Sequence, residues 1–199
     1  MRTQAVHCPI PPRVVVFAKA PLPGQAKTRL IPALGAEEAA RLAGRLLDHA
    51  LAQAMQARVG PVELCMSPGP DDAAWQGVAL PEGVQCLDQG EGDLGARMAR
   101  AVQRVTADPP GQPVLLMGTD CPELTSLIIR EAAAQLAQND AVLIPVADGG
   151  YVLVGLRAHC PEIFRDMAWS TPVVAAETLR RLAAGGLSVW LGPTLHDID

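Results

Sequence analysis

Val142-Leu143-Ile144-Pro145-Val146-Ala147-Asp148-Gly149-Gly150-Tyr151-Val152-Leu153-Val154-Gly155-Leu156 is two apolar runs parted by an acidic glycine turn. Short runs of Val, Leu and Ile without polar alternation suit strands buried on both faces, as in the sheet of an α/β protein. The reading therefore places strands at 142–146 and 152–156. Two adjacent glycines let the backbone pass close to a neighbour, or adopt positive φ, at little steric cost. Asp148 stands at the entrance of the turn and Tyr151, the chain's only tyrosine, at its exit, so the turn offers chemistry as well as shape.

The same grammar extends outward. Residues 13–18 (RVVVFA) read as a central strand, followed by a Pro/Gly-rich loop over 19–30. A helix is predicted over 36–58, with Leu42, Leu46, Leu47, Ala50 and Leu51 on one stripe and Glu37 paired with Arg41. Strands at 62–66 and 84–87, a helix over 92–105 and a strand at 114–117 come next. Thr125 or Ser126 caps a helix running to about 138. A last helix over 172–184 starts at Pro172, with Ser170 or Thr171 available as its cap, and a strand at 189–191 closes the chain. Strands alternating with helices predict α/β: a three-layer αβα sandwich on a mostly parallel sheet, one domain over 1–199.

Composition narrows the class. With 49% apolar and 19% charged residues the chain is globular rather than disordered. Only 3% are aromatic, so Ala, Leu and Val must build the core. A net charge of -5 argues against nucleic acid as partner, while leaving room for a small phosphorylated ligand. Cys8, Cys65, Cys86, Cys121 and Cys160 show no zinc-site spacing and read as reduced thiols of a cytoplasmic protein. Neither a signal peptide nor a membrane span is expected. A homodimer stays open, because an apolar helix face serves equally as core or as interface.

Ligands of open α/β sheets sit outside the carboxyl ends of the strands, and four polar clusters fall at such ends. The first is Lys19-Ala-Pro-Leu-Pro-Gly24-Gln-Ala-Lys27-Thr28-Arg29, whose three cations suit a polyphosphate. It is not a P-loop, since the Gly-x-x-x-x-Gly-Lys spacing is absent. The second is Gln89-Gly-Glu-Gly92-Asp93-Leu94-Gly95-Ala-Arg97-Met98, where Asp93 either caps the helix and pairs with Arg97 or borders an anion site. The third is Thr119-Asp120, a carboxylate placed for Mg²⁺ or Mn²⁺ or else a plain turn residue before Pro122. The fourth is Asp148, with His196-Asp197-Ile198-Asp199 as a further acidic group or a solvated tail. Trp169 is either core or a stacking surface. His49 reads as a surface residue of the long helix.

Taken in order, Phe17-Ala-Lys19-Ala-Pro-Leu-Pro-Gly24-Gln-Ala-Lys27-Thr28-Arg29-Leu30, Gly92-Asp93-Leu94-Gly95-Ala-Arg97-Met98, Gly118-Thr119-Asp120-Cys121-Pro122, Asp148-Gly149-Gly150-Tyr151 and Trp169-Ser170-Thr171 resemble the bacterial glycosyltransferase-like family DUF2064. That family is similar to arsenosugar-associated glycosyltransferases and to phospholactate guanylyltransferases. The resemblance implies a nucleotide-diphospho-sugar transferase (GT-A, Rossmann-like) fold, with a seven-stranded mixed sheet and the nucleotide over its N-terminal half. It implies nucleotide contacts from Lys19, Gly24, Lys27, Thr28, Arg29, Asp93 and Arg97. Asp120, with Asp199, would hold a divalent metal, Mg²⁺ or Mn²⁺, and Asp120 and Asp148 would be the catalytic carboxylates. Gly149, Gly150, Tyr151, Trp169, Ser170 and Thr171 would face a small-molecule acceptor. The expected reaction is metal-dependent glycosyl transfer from a nucleotide-diphospho-sugar, with nucleotidyl transfer releasing pyrophosphate as the alternative. A non-catalytic nucleotide-binding module is the alternative of another class.

Overall fold

A computed structural model describes residues 10–107 and 111–198. Seven strands form one sheet: β1 (Arg13–Lys19), β2 (Val62–Ser67), β3 (Gln85–Asp88), β4 (Val114–Met117), β5 (Ala141–Pro145), β6 (Tyr151–Leu156) and β7 (Val189–Leu191). Their order across the sheet is β3-β2-β1-β4-β6-β5-β7. All pairings are parallel except those of β6, which runs antiparallel to both β4 and β5. The two apolar runs that open the sequence argument are therefore a hairpin, with its turn at the same edge as the carboxyl ends of the other strands. The mixed sheet expected from the resemblance is present.

The helices are α1 (Ile31–Leu34), α2 (Ala36–Ala57), α3 (Leu94–Ala107), α4 (Ser126–Leu136) and α5 (Val174–Ala184). Two apolar cores, one on each face of the sheet, make the three layers. Val14, Val16 and Ala18 point to α2 and α4, meeting Leu47, Leu51, Ile129 and Leu136. Val15 and Phe17 point the other way, to Met98 and Val102 of α3 and Leu182 of α5. Period-two alternation along β1 thus feeds both layers, as a central strand requires.

Local departures from the sequence reading have local causes. The long loop after β1 contains a 3₁₀ turn, Thr28–Leu30, and the single helical turn α1, with Pro32 tolerated in its first turn. Arg41 pairs with Glu38, Nε to Oε2 at 3.1 Å, rather than with the predicted Glu37. Thr125, not Ser126, caps α4 by accepting from the Ile128 amide at 3.5 Å. Helix α5 begins at Val174 without a side-chain cap, two residues after the predicted start, because the Thr171 hydroxyl donates instead to the Ala168 carbonyl at 2.6 Å.

Candidate active site

Lys19 ends β1 and is exposed at the carboxyl edge of the sheet. The following loop is fastened to β2 by the Ala20 amide, which donates to the Ser67 carbonyl at 3.0 Å. It passes through exposed Gly24 and ends at Lys27, whose backbone is left-handed at φ 49, ψ 45. The Lys27 ammonium lies 2.8 Å from Asp120 Oδ1 and also donates to the Ile198 carbonyl. Its side chain is only 6% exposed, against 51% for that of Asp120. Asp120 follows β4, and its Oδ1 accepts from the Thr119 hydroxyl at 3.2 Å. Thr28 and Arg29 lie exposed beside this pair.

The residues 195–198 are a strap, not a solvated tail. Leu195 forms a parallel bridge with Val146, and its carbonyl accepts from the Ala147 amide at 2.9 Å. The His196 amide donates to Glu123 Oε2 at 2.9 Å, and the Cys121 thiol donates to the His196 carbonyl at 3.2 Å. The Ile198 amide then donates to the Asp120 carbonyl at 2.8 Å. One short segment so connects the Asp148 turn, the Asp120 loop and the basic loop. The expected metal ligand Asp199 lies outside the described residues.

On the other side of β1, Gln89 is buried and stitches two strands together. Its amide nitrogen donates to the carbonyls of Ala18 at 3.1 Å and Cys65 at 2.9 Å. Asp93 is a helix cap, accepting from the Ala96 amide at 2.8 Å. Arg97 does not pair with it. Its Nε donates to the Gly92 carbonyl at 2.8 Å and its Nη1 to the Ser67 hydroxyl at 3.3 Å. A guanidinium is thereby held at the ends of β2 and β3, at the same carboxyl edge of the sheet as the basic loop.

In the β5–β6 hairpin, Asp148 is exposed and its Oδ1 accepts from the Gly150 amide at 2.8 Å, closing the turn. Gly149 has φ +92, and a Cβ there would lie 2.1 Å from the Pro172 carbonyl oxygen. The close neighbour that demands glycine is thus the segment leading into α5. Tyr151 turns inward and meets Trp169 edge-on, with ring centroids 6.4 Å apart and planes at 74°. Burial pushes the Tyr151 hydroxyl well above the ordinary phenol range, with a partial offset from the Thr178 hydroxyl beside it. Neither oxygen reaches hydrogen-bond geometry, and Trp169 Nε1 is likewise buried without a partner among the described residues. Ser170 is exposed at φ 60, and Thr171 is half-buried. Of these predicted acceptor residues, Asp148 and Ser170 are the ones that present themselves to solvent.

The described residues contain no group of three His, Cys, Asp or Glu side chains able to hold a metal. Hard divalent cations that act on nucleotides, however, take one or two carboxylates and complete their shell with substrate phosphates. Asp120 is half-exposed and suits that arrangement, provided that Lys27 yields its place. A surface groove of about 630 Å³ lies at the other end of the sheet between Pro11, Pro12, Val59 and Ala137. Among the described residues its lining has no carboxylate and includes none of the four clusters.

The sequence alone gives no role to Gln89, at the head of the second cluster, and reads His49 as a surface residue. His49 Nε2 lies 3.0 Å from the Pro122 carbonyl oxygen and so braces the Asp120 loop against α2. The one available signal was a lone polar residue facing inward on a helix stripe, which becomes informative once its neighbour is known.

Comparison with known proteins agrees with this fold. The sequence profile of the family described as "Uncharacterized protein conserved in bacteria (DUF2064)" matches residues 50–171. No curated protein matches the sequence. A solved structure from Desulfovibrio desulfuricans G20, named as a candidate nucleotide-diphospho-sugar transferase, is 30% identical with a TM-score of 0.85, covering 94% of this chain and 81% of its own. Rv0371c from Mycobacterium tuberculosis H37Rv, also solved as a manganese complex, is 17% identical with a TM-score of 0.59 over 94% and 93% of the two chains. A CMP:2-keto-3-deoxy-manno-octonic acid synthetase solved with CTP is 13% identical with a TM-score of 0.56 over 94% and 93%. The last two show a shared fold.

Proposed function

The chain belongs to the bacterial family DUF2064, and on that footing we propose that it is a transferase using a nucleotide-activated donor, with glycosyl transfer from a nucleotide-diphospho-sugar to a small acceptor as its reaction. One observation carries the reading: the Lys27–Asp120 pair at 2.8 Å stands at the carboxyl edge of the sheet, joined through the strap to the exposed Asp148 turn. Cationic and acidic groups are thereby set at adjoining strand ends, as transfer of a phosphorylated leaving group needs.

In this reading Lys19, Lys27, Thr28 and Arg29, with Gly24 shaping the loop, hold the diphosphate. Asp93 fixes the start of α3 so that Arg97 faces the nucleotide. A divalent ion carried on the phosphates would be held by Asp120, where it would neutralise charge on the departing nucleotide. Asp148 is the group placed to accept the proton of an acceptor hydroxyl, because its carboxylate is exposed and its orientation is fixed by the Gly150 amide. Gly149, Gly150, Tyr151, Trp169, Ser170 and Thr171 form the acceptor wall. Tyr151 acts there by supporting Trp169 rather than by touching the acceptor.

The concentration of cations in the first loop favours a second reading, nucleotidyl transfer, in which Lys and Arg stabilise charge at an α-phosphate. Incubation with a panel of NTPs and nucleotide-diphospho-sugars separates the two. Acceptor-dependent release of nucleoside diphosphate is the expected result. Pyrophosphate released from an NTP with a sugar phosphate would replace it by the second reading. Binding without either product, surviving Asp120→Asn and Asp148→Asn, would leave a nucleotide-binding module.

A further inference from the structure

We propose that Lys27 is the resident counter-cation of Asp120 and passes to the phosphate groups of a bound ligand, so that the carboxylate opens to a divalent ion only once the anion has taken the lysine. The inference rests on the phosphate reading of the 19–29 loop.

The pair is built the wrong way round for a surface salt bridge. The long cationic side chain is 6% exposed, whereas the short carboxylate is 51% exposed. An ammonium is strongly hydrated, so its near-complete removal from water requires anionic or carbonyl partners. Among the described residues Lys27 meets both kinds, Asp120 Oδ1 at 2.8 Å and the Ile198 carbonyl. The chain also adopts a left-handed conformation at Lys27, uncommon for a residue with a long side chain, at the point where that side chain turns inward. Both ends of the bridge are tethered: the Thr119 hydroxyl donates to the same carboxylate oxygen, and the Ile198 amide donates to the Asp120 carbonyl.

Such a pair has two consequences. A divalent cation offered alone meets a carboxylate already neutralised by an ammonium, and like charge repels it. A polyphosphate offered alone competes with Asp120 for Lys27, and its greater charge and multiple oxygens favour it. Anion and metal therefore address opposite halves of one ion pair.

The test uses the full chain, inorganic pyrophosphate in the presence of EDTA as one probe, and Mn²⁺ without any anion as the other. Pyrophosphate binding is followed by calorimetry and Mn²⁺ binding by electron paramagnetic resonance. Asp120→Asn, which frees the lysine, should bind pyrophosphate tighter than the unaltered chain, by about threefold or more, and Lys27→Gln should bind it about tenfold weaker. Lys27→Gln should bind Mn²⁺ alone about tenfold tighter than the unaltered chain, and this gain should vanish in the Lys27→Gln, Asp120→Asn double variant. The urea unfolding midpoint of each variant, measured beside its binding curves, controls for folding. Pyrophosphate affinity unchanged or weakened in Asp120→Asn, or Mn²⁺ affinity unchanged in Lys27→Gln, would overturn the inference while leaving the phosphate site standing. Failure of the unaltered chain and of Asp120→Asn to bind pyrophosphate at all would instead remove the phosphate reading, and this inference with it.

Discussion

Gly149 shows how a residue picked out by its type acquires a reason only from its neighbours. The sequence marks it as a place where backbone comes close to something, and the structure identifies that something as Pro172, 2.1 Å from where a Cβ would sit. The φ of +92 and a backbone neighbour that cannot rotate away add to each other. Gly149→Ala should therefore lower stability by about 2 kcal/mol or more, read from the urea midpoint. A loss under about 0.5 kcal/mol would mean that the turn relaxes freely, as surface substitutions do. Asp93 and Arg97 carry a complementary lesson. Their spacing suggested an ion pair, yet Asp93 is taken by the Ala96 amide and Arg97 reaches to Ser67 and the Gly92 carbonyl. Spacing on a helix identifies who can meet, while the competing donors decide who does.

Helix α5 and the segment before it form the element on which the acceptor wall depends. Arg181 donates to the carbonyls of Glu162 at 3.0 Å and Asp166 at 3.3 Å, and also to that of Arg165. Glu177 in turn holds Arg181, Nε to Oε1 at 2.6 Å, and Arg180, Nε to Oε2 at 2.7 Å. Hydrogen bonds from Arg180 and Arg181 depress the Glu177 carboxyl from its ordinary 4.5 to about 2. A depressed carboxyl contributes stability above its unfolded value and loses it as pH falls through the folded one. The stability gap between the unaltered chain and Glu177→Gln should thus be full near neutrality, begin to shrink near 4.5 and close towards about 2. A gap independent of pH would show that the variant acts through packing. Removing the clamp with Arg181→Met should release the loop bearing Trp169 and shift its fluorescence, because the indole is held between Tyr151 and α3. An unchanged spectrum would mean that packing alone holds the indole.

At the scale of the molecule, the one buried carboxylate among the described residues is Glu63 of β2, fully inaccessible and bonded by Arg104 of α3, with Nη1 to Oε2 at 2.9 Å. The Cys65 thiol also donates to it at 3.2 Å, and burial, foremost, pushes that thiol well above the ordinary range. Glu63→Gln removes the counter-charge of Arg104 and of Arg13, whose Nη1 lies 3.6 Å from Oε2, and should cost about 2 kcal/mol in denaturant unfolding. A neutral outcome would show that Arg104 reaches water unaided. How much of this was legible beforehand follows from range. The apolar runs at 13–18, 114–117 and 152–156 announce strands because a residue buried on both faces must be apolar whatever lies beside it. The polar clusters announce a site because they fall at strand ends. By itself, then, the sequence determined the elements, the layered α/β class and the candidate residues, all of which depend on local periodicity and composition. Only the tertiary structure decided that β6 runs against its neighbours, that residues 195–198 strap the Asp148 turn to the Asp120 loop, that Glu63 lies under Arg104, and that Lys27 rests on Asp120. Those facts are contacts between residues far apart in the chain. No local pattern encodes them, because each is fixed by which surfaces remain to be buried and which charges remain to be paired once the layers have closed.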